Sequence, residues 1–219
     1  MRNVPELERS WDYENGFYLT CEHWRIAKFI AHYEIFKRSI DVPGTVVECG
    51  VCKGASLMRF LSFNQILTSE QPKKIFAFDI FGEFPETTFE ADQKFVRGWK
   101  KAVGKSISEK QLCTFLKHKG AEEHVELIAG DITKTVPAFL EDHPDFQISF
   151  LNVDTDIYEP AVTILEHFYP RVAPGGIVLL DNYGVIAGET KAVNEYFEGA
   201  QLEFHALPIA PKLKFIVKP

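Results

Sequence analysis

The most constraining feature of this chain is a series of short apolar segments, each followed closely by an acid and separated from the next by a longer, helix-like stretch. Thr45-Val-Val-Glu48, Ile75-Phe-Ala-Phe-Asp79, Val125 to Ile128, Ile148-Ser-Phe-Leu-Asn-Val153 and Ile177 to Leu180 read as five strands. Strands without polar alternation are covered on both faces, and strands that alternate with helices pair in parallel. The pattern predicts a doubly wound α/β fold with a mostly parallel sheet, whose ligands bind beyond the carboxyl ends of the strands. Glu48, Asp79, Asp131, Asp154 and Asp181 fall at or just after those ends. Five carboxylates on one rim exceed what solubility requires.

Around this alternation the chain divides into residues 1–40, a helical extension, and 41–219, the main domain, with residues 81–124 as an insert. Between Thr20 and Arg38, Trp24, Ala27, Ile30, Ala31 and Ile35 recur at helical spacing. Further helices are expected around Leu57 to Leu67, from Thr135 to Glu141 with Pro137 in the first turn, and from Pro160 to a stop at Pro170. Pro174-Gly-Gly176 reads as a turn into the fifth strand, a last helix spans Thr190 to Phe197, and two late strands lie near Leu202 to Ala206 and Lys214 to Val217.

A length of 219 residues is enough to bury a sizeable core, and 46% hydrophobic residues rule out disorder. A net charge of −7 argues against a generally basic nucleic-acid binder. No apolar run approaches a membrane span and the first ten residues lack the apolar core of a signal peptide, so a cytoplasmic protein without membrane or nucleic-acid partners is expected. Cys49 and Cys52 form a CxxC, but no second CxxC or nearby histidine pair accompanies it, and buried small residues are the expectation. None of the seven histidines stands at a metal or triad spacing, and no Gly-x-Ser-x-Gly elbow occurs.

Glu48-Cys-Gly50-Val-Cys-Lys-Gly54-Ala-Ser56 joins the first strand to its helix. Glycines there let the backbone turn sharply and approach a ligand, and the helix behind offers free N–H groups to an anion. Asp79, 25 residues past Gly54, is positioned to accept from a ribose diol. The spacing GxxxG behind an acid departs from the GxGxxG of dinucleotide sites and resembles motif I of S-adenosylmethionine (SAM) methyltransferases. Asp154-Thr-Asp156-Ile-Tyr158 and Asp181-Asn182-Tyr183 end the fourth and fifth strands. Neighbouring parallel strands lie about 5 Å apart, so two carboxylates and an amide oxygen can meet as a hard-oxygen site for Mg²⁺. The plainer alternative makes Asp154 and Asp181 strand-terminal caps. Asp156 is expected to cap the following helix.

Val42 to Gly54, Asp154-x-Asp-x-Tyr-Glu159 and Tyr169-Pro-Arg-Val-Ala-Pro-Gly-Gly176 with Asp181 resemble the macrocin O-methyltransferase family over about Asp41 to Phe197. The resemblance implies a Rossmann-like class I methyltransferase fold and a SAM- and metal-dependent enzyme that methylates sugar hydroxyls. It makes Asp154 a metal ligand and the general base, and Asp181 a second ligand. Family members carry Asp-Asp-Tyr where this chain has Asp181-Asn182-Tyr183. Metal-dependent catechol and caffeoyl-CoA O-methyltransferases use a similar Asp…Asp-Asn set, but place a lysine where this chain has Ile157. Their motif I serine corresponds to Ser56, and Asp131 matches a superfamily position near the adenine. The expected site is therefore Glu48, Gly50, Gly54, Ser56, Asp79 and Asp131 for SAM, and Asp154, Asp181 and Asn182 for Mg²⁺.

Between the second and third strands the stretch 92–119 holds eight basic residues and two acids. With Phe95 and Trp99 it reads either as a receiver for an anionic sugar-type acceptor or as a solvated helix face. The aromatic opening Trp11 to Tyr18 suits either the acceptor pocket or a second subunit, and a homodimer is expected. A phenolic acceptor, a silent SAM-binding protein and an NAD-linked enzyme are the remaining alternatives.

Overall fold

The computed structural model describes residues 5–68 and 71–219, so the first four residues of the opening segment lie outside it. Seven strands form one sheet in the order β3-β2-β1-β4-β5-β7-β6. The strands are β1 Thr45–Cys49, β2 Ile75–Asp79, β3 Val125–Ala129, β4 Ile148–Val153, β5 Val172–Leu180, β6 His205–Leu207 and β7 Ala210–Val217. The first five run parallel, while β7 pairs antiparallel with β5 and β6 with β7. From β1 the chain winds outward to β3, then returns to β4 on the other side of β1. That reversal opens a crevice above the carboxyl ends of β1 and β4, where such sheets bind ligands.

The helices are α1 Ser10–Thr20, α2 His23–Phe36, α3 Ala55–Leu67, α4 Glu90–Ala102, α5 Glu109–His118, α6 Ile132–Asp142, α7 Tyr158–Phe168 and α8 Ala187–Tyr196. Successive strand residues feed opposite cores. Val46, Ala77, Phe150 and Leu179 face α2, α3 and α5, whereas Val47, Phe78, Leu151 and Val178 face α6, α7 and α8. Phe36, Phe60 and Phe150 join in the first core, with the Phe36 and Phe60 rings each about 5 Å from Phe150. Each buried phenyl contributes about 1.5–3 kcal/mol, so the unbroken apolar strands are held from both sides.

The helix expected between Thr20 and Arg38 is α2, and α1 precedes it across the extended Cys21 and Glu22. Three expectations change. α6 begins at Ile132, where Asp131 caps it by accepting from the Thr133 N–H at 3.0 Å, so Pro137 lies inside the helix rather than in its first turn. Pro174-Gly175-Gly176 is an irregular part of β5: the register against β4 shifts, Gly175 takes φ +80°, and backbone bonds to Lys218 keep the strand going. Asp156 does not cap α7; it sits at φ +66° and the cap comes from elsewhere. Among the described residues no helix is long and apolar enough to cross a membrane.

Candidate active site

The glycine turn is set by how closely β1 and β4 approach. Gly50 has φ +97°, and a Cβ there would lie 1.9 Å from the Asp154 carbonyl oxygen. Gly54, at φ +82°, leads into α3, whose first turn has no side-chain cap. Asp79 braces the turn from β2. Its Oδ2 accepts from the N–H groups of Val51 (2.8 Å) and Cys52 (2.9 Å), and its Oδ1 accepts from Phe81 N–H at 2.7 Å. Glu48 is fully buried behind the turn and does not line the cavity. Its Oε1 accepts from the Asn152 amide at 3.4 Å and its Oε2 has no partner. Burial pushes its pKa up to about 8, with Asp79 and Asp181 adding to the rise and Ser56 and Asn152 opposing it.

A cavity of about 800 Å³ lies over this turn, within the range of small-molecule sites. Gly50, Ser56, Asp79 and Asp131 line one side, and Asp154, Asp156, Asp181 and Asn182 another. Asp131, the α6 cap, is partly exposed toward it. The Cys49 thiol is buried and held well above its usual pKa, and burial raises Cys52 to about 11, so the CxxC has no thiolate character.

At the carboxylate side Asn182 Nδ2 donates to Asp154 Oδ1 at 3.1 Å. Burial and then the charge of Asp181 push the Asp154 pKa well up, against the pull of Lys28. Burial also works against ionisation of Asp181, but the proximity of His32 and Lys28 outweighs it and holds this carboxyl below its usual range. Glu189, fully buried, accepts from Asn182 N–H at 2.9 Å, and burial raises its pKa to about 8. Asp156 is raised to about 7 by burial and Asp181.

Two residues of this cluster escape sequence reasoning, and both come from α2. Lys28 Nζ donates to Asp181 Oδ2 at 2.7 Å, and His32 Nε2 stands 3.8 Å from Asp181 Oδ1, one helical turn on. His32 is fully buried and stacks on Phe60, and burial lowers its pKa. The i,i+4 spacing was the available signal, but Asp181 is 153 residues away from Lys28.

The insert is tied to the site by reciprocal caps. Asp92 on α4 is buried, and its oxygens accept from the N–H groups of Tyr158 (3.0 Å) and Gly188 (2.9 Å), at the starts of α7 and α8. In return Glu159 of α7 accepts from the Thr87 hydroxyl and from the N–H groups of Thr88 and Phe89, just ahead of α4. A Cβ at Gly188 would meet Asp92 Oδ2 at 1.8 Å. Trp99 of α4 lines the cavity, whereas Arg97 is exposed and Lys100 pairs with Glu86. Most of the insert's basic residues thus form a solvated face.

The parallel sheet, the glycine turn with its acid and the cleft at the β1–β4 reversal define a class I SAM methyltransferase fold. The macrocin O-methyltransferase (TylF) model matches residues 24–209, and the chain belongs to that family. The chain is similar to the demethyldecarbamoylnovobiocin O-methyltransferase of Streptomyces niveus, 28% identical over 162 residues, covering 71% of this chain and 59% of the relative. It is also similar to the 8-demethyl-8-(2,3-dimethoxy-alpha-L-rhamnosyl)-tetracenomycin-C 4'-O-methyltransferase of Streptomyces olivaceus, 26% identical over 158 residues, covering 71% and 58%. The chain therefore spans less than two thirds of the length of these curated relatives. The solved O-methyltransferase NovP shares the fold with a TM-score of 0.75, at 23% identity over 88% of this chain and 80% of NovP.

Proposed function

We propose that this chain is a SAM-dependent O-methyltransferase that methylates a hydroxyl of a sugar, carried on a nucleotide or on a glycosylated natural product. The observation that carries the reading is the meeting of the Asp79-braced glycine turn with Asp154 and Asp181 in one cavity, in a chain of this family. Gly50 and Ser56 serve the methionine end of SAM, Asp79 its ribose and Asp131 its adenine, while Glu48 and Gly54, which do not line the cavity, shape the turn from behind. The rhamnosyl group in the name of the Streptomyces olivaceus relative supports a sugar acceptor.

Asp154 acts as the general base. The attacking hydroxyl gives it a proton as the oxygen bonds to the methyl carbon, and the C–S bond breaks to release S-adenosylhomocysteine. Burial and the charge of Asp181 raise the Asp154 pKa above the ordinary carboxylate range, which makes it a stronger proton acceptor than a free carboxylate. Holding the hydroxyl in line with the methyl group supplies much of the rate. No three His, Cys, Asp or Glu side chains form a metal-holding group among the described residues. A hard cation nevertheless fits Asp154, Asp181 and Asn182: Asp181 Oδ1 is buried without a hydrogen-bond donor, and a half-turn of the Asn182 amide presents its oxygen. Mg²⁺ held there supplies Lewis acidity that lowers the hydroxyl pKa. Lys28 takes Oδ2, so Oδ1 is the oxygen without a donor.

The test is S-adenosylhomocysteine formation from SAM with nucleotide sugars, glycosides and catechols, in Mg²⁺ and in EDTA. Turnover of sugar acceptors that collapses in EDTA is expected. Turnover of catechols alone moves the acceptor to the phenolic class, and SAM binding without any turnover makes the chain a silent binder. Undiminished turnover in EDTA removes the metal. A homodimer joined through the exposed aromatic face of α1, where Trp11 is 74% exposed, is a further part of the proposal, checked by light scattering.

A further inference from the structure

Two arginines line the cavity outside any ion pair among the described residues. Arg59 lies on α3 one turn after Ser56, so the two share a face of that helix, and Arg25 reaches the same space from α2. Arg25 lies over the Trp24 ring at 4.8 Å and Arg59 over Phe29 at 5.9 Å. Aromatic faces hold guanidinium planes while leaving their N–H edges free.

The acids that could neutralise Arg59 are otherwise engaged. Asp181 is paired with Lys28, Asp154 accepts from the Asn182 amide at 3.1 Å, and the Glu48 carboxyl, with its pKa up at about 8, keeps its proton at neutral pH. Burial first, and then the like charge of Arg25, lower the Arg59 pKa from its usual value. Two cations packed side by side against a cavity leave a repulsion that an entering anion would relieve.

We propose that Arg59 receives the carboxylate of the methionine end of SAM, with Arg25 as a weaker second donor. A carboxylate suits the guanidinium fork, which can donate two parallel N–H bonds. The methionine end is assigned to Ser56, three residues earlier on the same helix face, so the carboxylate reaches Arg59 without a change in that placement. An acceptor phosphate is the competing source of the anion. This inference rests on the SAM pocket proposed above.

The experiment is calorimetry with SAM and with decarboxylated SAM, which differ by the carboxylate alone, on the unaltered chain and on Arg59→Met and Arg59→Lys. Arg59→Met is expected to weaken SAM by about 10- to 100-fold, the range of a charge-assisted hydrogen bond. Decarboxylated SAM should change by no more than about twofold, because the lost interaction is specific to one pair. Arg59→Lys keeps the charge without the fork and falls between, and Arg25→Gln costs about threefold, as for a more exposed charge. Equal losses for both ligands would overturn the assignment by showing a distorted pocket. Unchanged SAM binding in Arg59→Met would overturn it in favour of an anion on the acceptor. An unaltered chain that binds both ligands equally also overturns it while the SAM pocket stands; one that binds neither removes the pocket as well.

Discussion

The two sides of the cavity are built in different ways. On the cofactor side, β1, the glycine turn and β2 are neighbours in sequence, and one carboxylate, Asp79, ties three backbone N–H groups together. On the carboxylate side, Asp154 and Asp181 depend on distant groups: Lys28 and His32 from α2, and the Asn182 amide, whose backbone is held by buried Glu189. The first side is a local device held by backbone geometry. The second is an assembly of charges that holds only when several elements are docked. Damage to the first should act on SAM binding and folding, and damage to the second on turnover.

The sharpest separation comes from Asp154→Asn, for which turnover is expected to fall by about 10³-fold, as for loss of a general base, with SAM affinity kept within about threefold. A parallel loss of SAM affinity in calorimetry would break the comparison. Gly50→Ala should do the reverse. Its Cβ meets the Asp154 carbonyl oxygen at 1.9 Å on a backbone at φ +97°, so stability should drop by about 3 kcal/mol in urea unfolding, and SAM binding with it. Lys28→Met leaves Asp181 without its cation. Since Lys28 is a quarter exposed, a loss of about 2 kcal/mol is expected, below that of a fully buried pair, with SAM affinity little changed.

The two sides also differ in their pH dependence. Glu48 has a folded pKa of about 8 against an ordinary 4.5, so the folded state holds a proton that the unfolded state releases between those values. Its contribution is fully present below pH 4.5, and lost as pH rises through 8. Asp79, Asp181 and Arg59 are the charged groups that act on it. The Tm of the ligand-free chain should therefore fall by roughly 10 °C from pH 5.5 to 8.5 on account of Glu48, and Glu48→Gln should reduce the slope, with Glu189, also raised to about 8, supplying part of what remains. A slope unchanged in Glu48→Gln would place the pH response on the carboxylate side instead.

The same contrast explains what the sequence made legible. β2 is apolar until it stops at Asp79, because both its faces are buried, and β4 carries only the buried Ser149 and Asn152 before it stops just ahead of Asp154. The acids were visible as punctuation. The cations were not: Lys28, Arg25 and Arg59 sit in amphipathic helices, where a charge at any position reads as a solvated face, and their partners lie on other elements. His32 stands at no metal or triad spacing in the sequence; in the structure it is buried, stacked on Phe60, and faces Asp181. Local spacing points to Asp156 as the α7 cap, whereas Asp92 supplies it from the insert, 66 residues away from Tyr158 and beyond the reach of any local pattern.

The reciprocal caps between α4 and α7 also bear on redesign. The insert can be regarded as an exchangeable cassette whose mounting points are Asp92, Thr87, Thr88 and, on the chassis, Glu159 and Gly188. A grafted wall that keeps Asp92 cannot tolerate a side chain at position 188, where the carboxylate already fills the space a Cβ would take. A library aimed at new acceptors would therefore vary Phe84 and Trp99 while holding the five mounting residues constant.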